Sequence, residues 1–163
     1  FGPHGSPQTD MFWGRGSYEI PGYDYEDGRT ATHQSLGDGC VTCHMAFDDQ
    51  PTDGGAAPEG HTVHNFEPNL DACTGCHGAL DAAGLAALQQ PYLDKLNQVA
   101  VLMGYADWET LEVTLDADNP SWTVAEREAV YGAVFVSSSG SLGAHNPNYA
   151  NARLDAAIDY LTP

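Results

Sequence analysis

Residues 33–45 read HQSLGDGCVTCHM, with His44 directly after a cysteine pair and His33 seven residues ahead of it. Cys40-Val41-Thr42-Cys43-His44 has the C-x-x-C-H form of covalent c-type haem attachment, in which two thiols form thioethers to the porphyrin vinyls and the histidine binds iron from one side. The form recurs at Cys73-Thr74-Gly75-Cys76-His77, and the two copies use all four cysteines of the chain. None is left for a disulfide.

A single C-x-x-C-H also fits a redox dithiol that happens to precede a histidine. Two C-x-x-C pairs 29 residues apart also fit a four-cysteine zinc site, though structural zinc pairs usually lie closer. The repeated trailing histidine selects two covalent haems instead. The fold expected is mostly α with a large irregular, loop-rich content, wrapped around two haem c groups. The 163 residues fit a single domain: an irregular arm over 1–38, a haem-attachment segment over 39–80 and a helical part over 81–163. With 18 glycines and ten prolines, the chain favours loops, and the cofactors would supply apolar surface that it lacks.

Net charge is −18, from 23 carboxylates against one lysine and four arginines. A nucleic-acid partner is excluded by the missing basic footprint; a basic redox partner or a divalent cation would be attracted, and the charge also serves solubility in a salty exterior. Like-charge repulsion opposes self-association unless a specific contact overcomes it. No apolar run is long enough to span a bilayer. The chain begins at Phe1 without an initiator methionine, which reads as processing, and covalent haem attachment outside the cytoplasm implies export to the periplasm or cell exterior.

Over residues 1–38 there is no 3.6-residue period, and Phe12, Trp13, Tyr18, Tyr23 and Tyr25 suggest packing against haem faces. Asp48 to Gly60 is dense in turn residues. A helix is expected over Asp94–Met103, behind Pro91 and stopped by Gly104. A second begins at Thr123, where Thr123 and Glu126 form a capping box, and continues to Val136 until SSSGSLG breaks it. A third starts with Asn146 as N-cap and Pro147 in the first helical position, so His145 stands at its head.

His44 and His77 take one face of each iron, leaving His4, His33, His61, His64 and His145 for two further positions. Met45 adjoins a proximal histidine and cannot reach the opposite face; Met11 and Met103 read as apolar packing. The surplus of histidines favours two bis-histidine irons, with potentials below those of His/Met cytochromes. Acidic pairs such as Asp48-Asp49 and Asp116 with Asp118 lack the D-x-D-x-D-G pattern of a calcium loop and read as solvated surface.

The order H-x6-C-x2-C-H-M, then GHTVHNF, then a second C-x-x-C-H, then GAHNPNYANARLDAAIDYL resembles the C-terminal haem pair of the pentahaem cytochrome c nitrite reductases and related multihaem electron-transfer cytochromes. It covers residues 33–77 and 143–161. The arm GPHGSPQTDMFWG is more loosely similar to segments of the multihaem cytochromes of metal-reducing bacteria. The resemblance implies crossed wiring, with His145 distal to the haem on Cys40 and Cys43, and His33 distal to the haem on Cys73 and Cys76. His4 and His61 resemble positions that ligate haems whose motifs this chain lacks. They are either structural residues or alternative iron ligands, and His4 is the better placed to reach a haem of a neighbouring copy and join copies head to tail. His64 reads as a neighbour of His61.

In the nitrite reductases a lysine replaces the proximal histidine at the catalytic haem, and neither motif here carries that lysine. The expected function is therefore electron transfer without enzymatic activity, toward redox partner proteins or toward other copies of the chain assembled head to tail into a haem-chain filament. The alternative is a small haem enzyme, a peroxidase or oxyanion reductase, with one open iron. A haem sensor is the third reading, and no ligand-shaped segment supports it.

Overall fold

The computed structural model describes residues 7–45, 67–115 and 121–163. Of these, 63% are helical and none is in a strand, in accord with the mostly α class. Two compact units emerge: Phe1–His33 with Leu88–Pro163, and Gln34–Ala87. The dividing points fall at the end of the arm and inside a long helix. No helix among the described residues is long and apolar enough to cross a membrane.

The larger unit is built on three helices. Helix α4, Ala82–Leu102, begins twelve residues before the expected start and carries Pro91 in its interior. Asp81 explains the difference: its side chain accepts the Gly84 N–H at 2.8 Å, and the alanine-rich turns behind it are strong helix formers. The cost of Pro91, a forfeited backbone bond, is carried by the packing of Tyr92, Leu96, Val99 and Ala100 on one stripe. The stop at Gly104 is as expected. With φ +85 it lets Gly104 N–H bond Val101 O and Tyr105 N–H bond Ala100 O, the paired bonds of a Schellman motif.

Helix α6, Val124–Ser138, starts at the predicted capping box: Thr123 Oγ1 accepts from Glu126 N–H, and the Glu126 carboxylate accepts from Thr123 N–H. Helix α7, Pro147–Leu161, starts at Asn146 as predicted. Their apolar stripes meet, Ala129, Val130, Ala133 and Val136 of α6 and Tyr149, Ala150, Leu154 and Ala157 of α7 all being buried in the core. A five-residue helix over Trp108–Glu112 (α5), too short to show a period, is capped by Asp107 and inserts Trp108 and Leu111 into the core.

The arm is less irregular than its sequence suggests. It holds a helix over Gln8–Phe12 (α1) and 3-10 turns at Glu26–Arg29 and Thr32–Ser35. Its tyrosines are engaged by protein. Tyr25 is buried, Tyr18 Oη donates to Glu128 at 2.7 Å and Tyr23 Oη donates to Asp159 at 2.8 Å. Met11 is fully buried and Met103 packs on the same core, so both are packing residues.

Candidate haem site

In the Gln34–Ala87 unit each C-x-x-C-H motif forms one short helical turn. Cys40–His44 is helix α2, and Thr74–His77 is helix α3, led by a 3-10 turn over Leu70–Cys73. The i, i+3, i+4 spacing of two cysteines and a histidine puts all three on one side of such a turn. Gly39, with φ +51, begins α2. Asn69 ties the motifs together: its side chain accepts from Asp71 N–H, and its own N–H donates to Cys43 O at 2.8 Å.

None of the four cysteines is in a disulfide; Cys43 and Cys73 are half-buried, Cys40 and Cys76 exposed. Burial pushes the Cys43 thiol up, with the nearby Cys73 and Cys40 adding to it, and burial pushes Cys73 up. Among the described residues no group of three or more His, Cys, Asp or Glu side chains is close enough to hold a metal ion, so the four cysteines do not assemble a zinc site there.

None of the described residues of this unit is buried. Leu36, Leu70, Leu80 and Leu85 are only half-buried, and Val41 is 49% exposed. The described part of this segment buries too little apolar surface to offset the entropy of ordering its backbone, about 1–2 kcal/mol per residue. Unbridged cysteines at attachment spacing, with no described residue around them buried, fit a large apolar group bound covalently there.

The other two predicted axial histidines belong to the larger unit, and they are close neighbours. His33 Nδ1 lies 2.7 Å from the carbonyl oxygen of Ala144, the residue before His145. A carbonyl only accepts, so Nδ1 carries a proton and the ring is oriented by the Ala144 carbonyl.

The loop before α7 is tightly held. Gly140 and Gly143 have positive φ, as does Leu142 at +44. A side chain at Gly143 would strike the Tyr92 ring. Ser139 Oγ donates to Val136 O at 2.8 Å, and Gln89 Nε2 donates to Ser141 O. On the other side of His145, Asn146 is fully buried. Its Oδ1 accepts from Tyr149 N–H, and its Nδ2 donates to Gly28 O at 2.9 Å. Gly14 packs against that same Gly28 carbonyl so closely that a Cβ would collide with it. Arm, loop and helix therefore fix one corner.

His4, His61 and His64 lie outside the described residues, as do the 48–60 loop, Asp116 and Asp118. A surface hollow of about 580 Å³ lined by Tyr18, Val124, Arg127, Glu128 and Tyr131 contains no histidine or cysteine among its described residues. The Ala144 carbonyl and the Asn146 cross-link have no sequence signature of their own, since one is a backbone group and the other already reads as a helix cap. Comparison with protein-family models, curated proteins and solved structures found no match.

Proposed function

We propose that the chain is a dihaem c-type cytochrome that carries electrons outside the cytoplasm. The observation that supports this reading is the pair of C-x-x-C-H turns, none of whose cysteines is in a disulfide, in a unit of which no described residue is buried. Cys40 and Cys43 would hold one haem, with His44 as its proximal ligand; Cys73 and Cys76 would hold the other, with His77. His145 and His33 are assigned as the respective distal ligands by resemblance to the multihaem cytochromes. Each haem supplies one-electron chemistry at iron when bound.

The chain's own residues hold and tune. His33 donates its Nδ1 proton to Ala144 O, which fixes its ring orientation, and Nε2 would be the atom toward iron. His145 is held at the head of α7 by Asn146. Two histidines held to each iron would leave no position for a substrate. Carboxylates outnumber cations 23 to 5, and that favours the ferric charge and a low potential.

The test is spectroscopic. Mass and pyridine haemochrome should give two covalent haems per chain, with low-spin bis-histidine spectra in both redox states. Carbon monoxide should not bind the reduced protein at neutral pH. A full-stoichiometry carbon monoxide adduct would overturn electron transfer in favour of the small haem enzyme.

A further inference from the structure

Two residues of α4 hold the loop that leads into α7. Gln89 and Tyr92 are three positions apart, which puts both on one face of the helix. Gln89 Nε2 donates to Ser141 O at 3.1 Å, and Ala144 N–H donates to that same oxygen at 3.0 Å. The turn from Ser141 to Ala144 is thus closed by its own backbone and tied to α4 at one atom.

Tyr92 is the wall behind this turn. It is buried against Gly143, where a Cβ would collide with Cζ and Cε2 of its ring. The ring is steadied from α7: Asn151 Nδ2 donates to the Tyr92 hydroxyl at 3.3 Å, and Asn151 Oδ1 accepts from Lys95 Nζ at 2.8 Å.

The carbonyl at the end of the turn is the one His33 uses. Ala144 O accepts the His33 Nδ1 proton at 2.7 Å. A hydrogen bond weakens steeply once its angle falls below about 120°, so a turn free to swing would lose this one. We propose that Gln89 and Tyr92 are positioning residues for His33, holding Ala144 O where it fixes the plane of the imidazole. The consequence for iron rests on the proposed role of His33 as an axial ligand. An imidazole whose Nδ1–H is bonded to a carbonyl is the more basic ligand, and a more basic ligand favours ferric iron. The ring plane, and the potential of the haem that His33 serves, are then set from α4.

Three variants of the full, haem-loaded chain test this. Gln89→Met removes the donor at similar length, Tyr92→Leu removes the wall, and Tyr92→Phe keeps the wall as the control. In proton–nitrogen NMR of the reduced protein, the His33 Nδ1 proton should move upfield in Gln89→Met and Tyr92→Leu, as for a weakened hydrogen bond, and stay in place in Tyr92→Phe. Electron paramagnetic resonance of the oxidised protein should show the largest g value of one haem displaced in the first two variants, with a rise in that haem's midpoint potential. Should Tyr92→Leu not fold, Gln89→Met decides alone. A chain lacking low-spin haem would refute the ligand role only, because the NMR comparison applies to it unchanged. An unmoved His33 proton in Gln89→Met, or lowered thermal stability with both haem spectra and potentials as in wild type, would overturn the positioning role.

Discussion

His33 Nδ1 donates to the carbonyl oxygen of Ala144 across 2.7 Å, so one of the two proposed distal histidines is oriented by the peptide that leads into the other. The two residues are 111 positions apart in sequence. The contact makes the ring of His33 and the backbone at His145 a single mechanical element.

Removing the His33 ring should open one iron and leave the second closed. His33→Ala is expected to keep two covalent haems and, when reduced, to take up one carbon monoxide per chain at neutral pH. His145→Ala should open the other haem, with a distinguishable spectrum. Carbon monoxide titration with haem quantitation reads both, and an unresponsive His33→Ala protein would rule out the distal assignment.

Every buried apolar side chain described lies outside the 34–87 unit. In a chain made without haem, limited proteolysis should cut first within residues 34–87, while a fragment holding α6 and α7 persists. The haem-loaded chain should resist in both regions. Early cleavage inside α6 of the haem-free chain would contradict the burial argument.

Asn146 caps α7 and bonds the Gly28 carbonyl from a fully buried position. Asn146→Ala removes the cap and strands a buried acceptor, a loss of about 2 to 3 kcal/mol. Asn148 bonds the Thr30 carbonyl from an exposed position, and its alanine variant should stay within about 0.5 kcal/mol of wild type. Denaturant unfolding separates the two.

Acid should loosen the caps of α5 and α6. The Glu126 carboxyl is held below its ordinary range by the Thr123 N–H and then by the Thr123 hydroxyl; Asp107 is held down by the Thr110 hydroxyl and then by its N–H. A carboxyl depressed in the folded state contributes stability that is present above its unfolded pKa and is lost as pH falls through the folded value. Glu126→Gln keeps an acceptor that does not titrate, so its stability should fall less steeply between about pH 6 and about pH 3. Parallel pH profiles for variant and wild type would remove Glu126 from the account.

The proposal that His4 reaches a haem of a neighbouring copy predicts a change in assembly. His4→Ala should reduce the particle size seen by light scattering and shift one haem's spectrum. Identical size and spectra in the variant would leave His4 without that role.

The legible parts were those in which a few adjacent residues carry the whole signal. C-x-x-C-H, the Thr123–Glu126 box, the Asn146–Pro147 start and the Gly104 stop are local, because a helical turn or a cap needs only four or five consecutive residues. Pro91 misled, since it reads as a helix start until the Asp81 cap and the tertiary packing behind it override the lost bond.

By itself, then, the sequence determined the helix stop at Gly104, the starts at Thr123 and Asn146, the mostly α class and the two C-x-x-C-H motifs. The tertiary structure decided which histidine ring meets which carbonyl, how an aperiodic arm is pinned by Tyr18, Tyr23 and Asn146, and that Arg153 is enclosed by Tyr25 and Tyr149. Those contacts join residues far apart in the chain, and several use backbone carbonyls that every residue carries, so no residue type or spacing announces them in advance.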